Sequence, residues 1–226
     1  MNRSLLVIGG GPAGVMAALT ASQKGMQVTL LEATPRLMNK LRITGKGRCN
    51  LTNAHQGADF LANIVHGDRF FRSAFSQFDN HALIEMVESL GVPLKIEQGQ
   101  RVFPVDDRAH SIADALVAAL KANNVRIVYK ARVCSMDRQG TTIMAVHTED
   151  GRSFSADCYV LATGGASYPV TGSRGDGYGL SLIHIYRLRN AHDSILYARY
   201  NRLCRSGNRG AGSSNGGSRD RPYLAQ

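Results

Sequence analysis

Five residues near the N-terminus have the types and spacing of a turn that binds phosphate. They are Gly9, Gly11, Pro12, Ala13 and Gly14. Glycine permits a tight turn at the first position, close approach to a pyrophosphate at the second, and close packing of helix on strand at the third. The free N–H groups and the macrodipole at the start of such a helix favour negative charge. Glu32, farther along, can accept both hydroxyls of a ribose, so the pattern predicts a dinucleotide site.

The elements around these residues support that interpretation. An apolar run at 5–8 precedes the glycines, an Ala-rich stretch typical of a helix follows them, and a second apolar run, 28–31, ends at Glu32. A structural turn in some α/β protein, with Glu32 as a solvated strand end, is the alternative. We favour the dinucleotide site because strand, helix and acid are in register. Since an acid repels a 2′-phosphate, we expect bound FAD or NAD(H), not NADP(H).

A second group of residues lies between Gly45 and Asn53. It combines two glycines, the cations Lys46 and Arg48, and a row of amide and hydroxyl side chains. We interpret it as a backbone cradle and cationic clamp over the pyrophosphate and the flavin side of a cofactor. A polar surface loop is the alternative, which these residues alone leave open. The whole stretch 33–53 is expected to be a long polar loop.

A third group follows a later apolar run, 158–162, which is typical of a buried strand. The run ends at Thr163, Gly164 and Gly165, the position where open α/β sheets bind ligands. Two glycine sites separated by a meander favour a flavoprotein. No catalytic residue is identified, although Tyr168 is a candidate proton donor, and no metal site is expected. Surface or loop positions are expected for the scattered histidines, His55, His66, His81, His110 and His147.

The periodicity along the chain predicts a doubly wound α/β fold of the FAD-binding Rossmann type. A third parallel strand is expected at 126–129, after an amphipathic helix that Ser111 caps. Shorter helices are expected at 68–75 and 80–90, and a strand at 94–97 before the segment 100–104. Alternating runs separated by Gln-Gly and Asp-Gly predict an inserted antiparallel β-meander at 133–136, 142–147 and 152–156.

Composition places most of the charge at one end of the chain. The 226 residues carry a net charge of +10. Residues 1–179 hold 19 Lys and Arg against 15 Asp and Glu, whereas 180–226 hold eight Arg against two Asp. The four cysteines form no C-x-x-C pair, and neither a signal peptide nor an apolar stretch long enough to span a membrane is recognisable. A cytoplasmic protein with reduced thiols and no membrane partner is therefore expected.

The basic balance suggests a second functional class, a flavin- or nucleotide-assisted protein that binds or modifies RNA. Two observations weigh against it. Most of the excess charge lies in 180–226, and no aromatic residues interleave with cations on a β-surface, as single-strand recognition needs. We therefore expect no specific nucleic-acid partner. Oligomeric state is not predicted.

The combined motifs resemble the BaiN-like flavoproteins, bacterial NAD(P)/FAD-dependent oxidoreductases that are also called aminoacetone-oxidase-family FAD-binding enzymes. The matching segments are the first glycine motif, 40–53 with its Gly-Arg-Cys-Asn core, 100–104 and 162–179. The resemblance covers residues 1–179. It implies FAD as cofactor, NAD(P)H as reductant, and hydride transfer through the flavin to a small unsaturated or carbonyl substrate.

The resemblance also implies roles for individual residues. It places Gly9, Gly11, Gly14 and Glu32 on the ADP half of FAD, and Val133 beside the adenine. It places a second set near the pyrophosphate and flavin, namely Lys40, Gly47, Arg48, Cys49, Asn50, Thr52 and Asn53. Thr163, Gly164 and Gly165 would bound the cofactor on the other side.

The chain departs from that family after residue 179. Complete members are much longer, and they carry a substrate-side region and a C-terminal return segment that completes the flavin pocket. Residues 180–185, Leu-Ser-Leu-Ile-His-Ile, are similar to the translation of a transposon-end adapter used in DNA library preparation. We therefore predict an incomplete FAD-binding domain at 1–179 and a non-native, disordered basic tail at 180–226; a natural basic extension is the alternative. The 226-residue chain is expected to be an inactive N-terminal fragment.

Overall fold

Strands and helices alternate along residues 3–65 and 67–182, which are the residues that the computed structural model describes. In chain order the strands are β1 Ser4–Ile8, β2 Gln27–Leu31, β3 Thr52–Asn53, β4 Leu94–Glu97, β5 Arg101–Pro104, β6 Arg126–Val128, β7 Val133–Gln139, β8 Thr142–Thr148, β9 Ser153–Phe154 and β10 Cys158–Leu161. The helices are α1 Pro12–Gln23, α2 Asn39–Ile43, α3 Gly57–Ala62, α4 Asp68–Phe75, α5 Asn80–Ser89, α6 Ala109–Ala122 and α7 Asp176–Leu182.

A four-stranded parallel sheet in the order β10-β1-β2-β6 carries the first glycine motif. The central strand β1 is apolar and buried from Leu5 to Ile8, as expected for a strand that is covered on both faces. Leu5 and Val7 belong to a core shared with α1 and α6, while Leu6 and Ile8 pack on the opposite side. The carboxyl ends of β1, β2 and β10 therefore meet at one edge of the sheet.

The antiparallel meander β7-β8-β9 covers the face of the sheet opposite α1 and α6. Val133 of β7 and Val146 of β8 are buried in one cluster with Leu6 and Ile8. The meander and α7 thus stand where a second helical layer would lie in a doubly wound fold. The predicted α/β Rossmann-type class with an inserted β-meander is confirmed.

A third sheet, in the order β3-β5-β4, lies beyond the parallel sheet and corrects one expectation. The stretch 33–53, expected to be a long polar loop, contains α2, a short 3-10 turn at Thr44–Gly47, and β3. Leu37 and Leu41 are both buried in the main core. Leu41 lies on α2, and Leu37 lies in the turn before it, where the left-handed Met38 forms the N-cap. These buried leucines stand among polar residues, so the short helix has no clear apolar period in the sequence.

The predicted cap of α6 is also wrong. The helix begins at Ala109, and Arg108 occupies the N-cap without a side-chain bond. The Ser111 hydroxyl instead donates to the Asp106 carboxylate, whose other oxygen accepts the Arg108 N–H at 3.0 Å. Asp106 therefore orders the turn before the helix, and the N-terminus of α6 has no side-chain cap.

The boundary predicted at residue 179 falls inside α7. Leu180 is only 1% exposed and packs with the sheet and the meander. The remainder of the predicted tail, residues 183–226, lies outside the described residues, as does His66. Within the described part of the chain, no helix is both long enough and apolar enough to cross a membrane.

Arg42 supplies a test of how α2 is held in place. It is 5% exposed, and it donates to the Leu37 carbonyl oxygen at 3.3 Å and to Asp114 Oδ1 of α6 at 2.7 Å. Arg42→Ala should lower the free energy of unfolding by about 2–4 kcal/mol, because it removes buried packing and two hydrogen bonds. Urea denaturation measures the change.

Arg72→Ala is the matched control, since Arg72 pairs with Asp68 on the exposed surface of α4. Its effect should stay within about 0.5 kcal/mol. Equal losses in the two variants would mean that the Arg42 contacts do not hold α2 against α6.

Candidate cofactor site

Three glycines of the first motif serve two different purposes in the turn between β1 and α1. Gly9 has a φ of +108°, and a Cβ there would collide with the backbone of Ala162. A Cβ on Gly14 would collide with the Gly9 carbonyl. Gly11 has extended backbone angles that any residue adopts, and a Cβ there would meet nothing within 4 Å. Gly9 and Gly14 therefore serve internal packing, whereas Gly11 keeps a surface open to an approaching ligand.

Glu32 ties the end of β2 to this turn. Its Oε2 accepts the Gly10 N–H at 2.7 Å, and its Oε1 accepts the Thr34 N–H at 2.8 Å. A Cβ on Gly10 would lie 2.3 Å from Leu37 Cδ2 and 2.7 Å from Glu32 Oε2, so a larger residue here would displace one of these two side chains. Each carboxylate oxygen retains a second lone pair for a ribose hydroxyl. The sequence did not identify Gly10 as a site residue, because its partner, Glu32, is distant along the chain.

A cavity of about 400 Å³, the first cavity, opens at the carboxyl edge of the parallel sheet. From the glycine turn and β2 it is lined by the predicted residues Gly9, Gly11, Pro12, Ala13 and Glu32. From other parts of the chain it is lined by the predicted residues Lys40, Val133, Thr163 and Gly164. Segments far apart in sequence thus converge on one site, as the dinucleotide interpretation requires.

A second cavity of about 440 Å³ adjoins the first and shares Pro12, Ala13 and Lys40 with it. Of the predicted residues it adds Cys49 and Asn50. Most of its wall is apolar and comes from α1, α5 and α6. The two cavities therefore meet at the first turn of α1, and Glu32 lines the first one only.

Two sources of positive charge, the N-terminus of α1 and Lys40, lie at the boundary between the two cavities. The first turn of α1 contains no acidic residue, and its N-cap Gly11 offers no side chain to the free N–H groups. Lys40, half-buried on α2, has no carboxylate within ion-pair distance among residues 3–65 and 67–182, and its Nζ donates to Ser167 Oγ at 3.2 Å. A helix N-terminus and a lysine that face one cleft leave room for an anion between them.

The structure places Arg48 away from both cavities. Its guanidinium donates to Glu97 at 2.5 Å and to Asp107 at 2.6 Å, and it stacks 4.3 Å from the centroid of the Phe103 ring. Lys95 completes the cluster, 2.9 Å from Asp107. Arg48 holds the pKa of Glu97 below its ordinary value, and Lys95 and Arg48 do the same for Asp107. This cluster fastens the glycine-rich turn to β4 and β5.

The remaining predicted residues of this segment also lie outside both cavities. Thr52 and Asn53 pair with β5, and the Asn53 amide donates to the Gly99 carbonyl oxygen at 2.8 Å. Gly47 stands at the end of the 3-10 turn with a φ of +87°. Of the Gly45–Asn53 group, only Cys49, Asn50 and Leu51 line a cavity. Burial raises the pKa of the Cys49 thiol, so it stays protonated and weakly reactive.

Three further charged residues, Arg36, Arg132 and Asp176, line the first cavity and were not singled out in the sequence. Arg132, just before β7, forms an ion pair with Asp176 at the start of α7, and both side chains are about 15% exposed. Burial raises the pKa of Asp176, against the opposing effect of Arg132. A Cβ on Gly177 would collide with Thr163 Oγ1, so α7 lies directly against the second glycine site. The Gly-Asp-Gly run at 175–177 is the sequence pattern that could have identified Asp176 as a site residue.

Gly165 and Tyr168 follow the second glycine site but line neither cavity. The Gly165 carbonyl accepts the Gly175 N–H at 3.2 Å, which closes the loop behind the site. Tyr168 is 69% exposed and has a φ of +55°. The structure therefore does not bring its phenol to the cleft, and none of the described histidines lines either cavity.

The model of a protein family, described as the HI0933-like protein Rossmann domain, matches residues 3–186. The chain belongs to this family. The HI0933-like assignment confirms the FAD-dependent Rossmann family that the sequence motifs resemble. Its match also continues past residue 179, to residue 186.

Two curated relatives of this HI0933-like chain carry different names. The 3-dehydro-bile acid delta(4,6)-reductase of Clostridium scindens is 35% identical over 187 residues, which are 80% of this chain and 43% of that protein. A ribosomal RNA dihydrouridine synthase of Escherichia coli is 30% identical over 179 residues, 78% of this chain and 43% of that protein. The chain thus spans less than half the length of these relatives.

Solved structures share the fold of the HI0933-like chain at low sequence identity. The 3-ketosteroid-delta4-(5alpha)-dehydrogenase of Rhodococcus jostii aligns with a TM-score of 0.58 at 16% identity, over 88% of this chain and 53% of that one. A flavocytochrome c3 fumarate reductase aligns with a TM-score of 0.56 at 23% identity, over 80% and 40%. These likenesses support the fold alone.

The two roles of the glycines can be separated by substitution. Gly14→Ala should lower the free energy of unfolding by about 1–3 kcal/mol, because its Cβ has no space. Gly11→Val should change that free energy by less than about 0.5 kcal/mol, yet it should weaken FAD binding at least tenfold by filling the cleft. Thermal denaturation and flavin titration measure the two effects. A Gly11→Val protein with unchanged flavin affinity would remove this surface from the site.

The Arg48 cluster predicts a dependence of stability on acid. Because the folded-state pKa values of Glu97 and Asp107 are lowered, their stabilising effect is complete above the unfolded values near pH 4 and is lost as pH falls through the folded values. Arg48→Met should therefore reduce the difference between the urea midpoint at pH 7 and the urea midpoint at acidic pH. Arg126→Met, on the exposed edge of β6, is the control and should leave that difference unchanged.

Proposed function

We propose that the protein is part of an FAD-dependent reductase that saturates a carbon–carbon double bond conjugated to a carbonyl group. The names of the two relatives support this chemistry. A 3-dehydro-bile acid carries a 3-oxo group, to which a delta-4 double bond is conjugated. Dihydrouridine is uridine whose ring double bond, conjugated to a carbonyl, has been reduced. A bond polarised in this way accepts hydride at its β-carbon, so one flavin site serves both kinds of substrate.

The observation that carries the proposal is the convergence of Lys40 and the first turn of α1 on open space in front of Gly11. A pyrophosphate there would receive backbone N–H groups and one ammonium group. When bound, FAD would supply the hydride for the substrate, after reduction by NAD(P)H. The residues present fit this cofactor.

Each wall of the first cavity has a defined role in the proposed site. Glu32 accepts the ribose hydroxyls with the lone pairs that Gly10 and Thr34 leave free. Val133 lies on the same side as Glu32 and offers an apolar surface to the adenine. Thr163 and Gly164 close the opposite side at the end of β10. These residues bind and orient, and the proton donor for the substrate is not assigned to any of them.

The second cavity is the proposed location of the reacting half of the cofactor. It meets the first cavity at the first turn of α1, and Glu32 does not line it. Its mostly apolar wall would give the ring system of the flavin a surface to pack against. Lys40, Thr44 and Asn50 supply polar groups to its lining.

RNA modification is the second candidate function. The Escherichia coli and Haemophilus influenzae relatives are both named ribosomal RNA dihydrouridine synthase, at 30% and 25% identity. In this chain Phe70 on α4 is 93% exposed, and its neighbour in sequence, Arg69, is exposed as well. An exposed ring near a cation can stack on an unpaired base.

Substrate assays on the full-length protein test both candidates. NAD(P)H consumption would be followed with a 3-oxo-delta4 steroid and with an RNA fragment containing uridine. Saturation of either double bond supports the proposed reaction and identifies the substrate class. A flavin-loaded protein that oxidises NAD(P)H with neither compound, but reduces an isolated carbonyl, would overturn the proposal.

We further propose that the 226-residue chain by itself binds FAD weakly and oxidises negligible NAD(P)H.

Glu32→Ala tests the adenosine end of the site. The substitution removes the carboxylate that holds the glycine turn and accepts the ribose, so FAD binding in the full-length protein should weaken by about 1.5–3 kcal/mol. Quenching of flavin fluorescence measures the affinity. Glu85→Ala, on the exposed side of α5, is the control and should have no effect. Unchanged affinity in the Glu32 variant would exclude the residue from the site.

A further inference from the structure

Lys40 stands at the boundary of the two cavities and has a neutral partner. It lines both cavities together with Pro12 and Ala13 of the first turn of α1. Its Nζ donates to Ser167 Oγ at 3.2 Å, and no carboxylate of the described residues pairs with it. A lysine stem is long and flexible, so its ammonium has no fixed position unless another group holds it.

Ser167 comes from a distant part of the chain. It lies 127 residues after Lys40, on the exposed segment that follows β10 and the second glycine site. The bond between them links the segment after β2 to the segment after β10, and both segments contribute residues to the lining of the first cavity. Ser167 itself does not line either cavity, so any influence on a ligand there passes through Lys40.

We propose that Ser167 is a positioning residue that fixes the Lys40 ammonium over the first turn of α1. This inference rests on the proposed function, in which the anion at that point is the pyrophosphate of FAD. The Ser167 oxygen accepts one of the three ammonium protons and leaves two for the anion. Held in this way, the ammonium and the free N–H groups of α1 face the same phosphate oxygens.

Three consequences follow for ligand binding. Ser167→Ala should weaken ADP and FAD to the same degree, about three- to tenfold, because both ligands contain the pyrophosphate. Riboflavin contains no phosphate, so its weaker binding should be unaffected. Since Ser167 acts only through Lys40, the double variant Lys40→Met with Ser167→Ala should bind no more weakly than Lys40→Met alone.

The experiment is a titration of the full-length apoprotein with ADP, FAD and riboflavin. It compares wild type, Ser167→Ala, Ser167→Thr, Lys40→Met and the double variant. Ser167→Thr keeps a hydroxyl and should recover most of the lost affinity. Ser153→Ala, on the exposed edge of the meander, is the matched control and should bind as wild type does. Circular dichroism and the melting temperature verify that each variant is folded.

The outcomes separate this inference from the proposed function. Wild type that binds neither ADP nor FAD would overturn both. If wild type binds FAD and the effects of Ser167→Ala and Lys40→Met multiply in the double variant, Ser167 contacts the ligand independently, and the positioning role is wrong. Unchanged ADP affinity in Ser167→Ala overturns it as well. Loss in both single variants, no further loss in the double variant and recovery with threonine support it. The salt dependence of ADP binding should fall in Lys40→Met.

Discussion

The contact of α1 with the carboxyl edge of the parallel sheet leaves no room for a side chain at Gly9 or Gly14. This restriction sets where the helix begins, and therefore where its free N–H groups lie. Glu32, Lys40 and the residues after β10 all approach that point from other parts of the chain. A small displacement of α1 would separate them. The geometry of the site therefore depends on having no side chain at Gly9 and Gly14, more than on any single attractive contact.

The sequence predicted the features whose determinants are close together along the chain. The β1-turn-α1 unit and the meander follow from local spacing of glycines and alternation of apolar residues. Arg48 was assigned to the cofactor because its neighbours are glycines, whereas its partners Glu97 and Asp107 are 49 and 59 residues away. Pairings of that kind are set by the packing of β4 and β5 and have no local signature. Gly10 and Asp176 were missed for the same reason.

The two cavities are built from different parts of this fold. The first cavity is lined mainly by strand ends and turns, whereas the second is lined mostly by apolar side chains of helices, several of which belong to the main core. In the proposed function both cavities hold parts of the cofactor, and the exposed face of α4 contributes to neither of them. The relatives share the Rossmann domain, while their names refer to a bile acid and to ribosomal RNA.

The two hydrogen bonds of Glu32 have a consequence for how occupancy could be observed. A ribose at this carboxylate would share its oxygens with the Gly10 and Thr34 amides. Those two amide protons therefore sense the same negative charge as the ligand. Their chemical shifts and their rates of exchange with deuterium would respond when the adenosine end fills, without any label on the nucleotide. The structure thus contains an intrinsic spectroscopic reporter, situated where the flavin itself gives no signal.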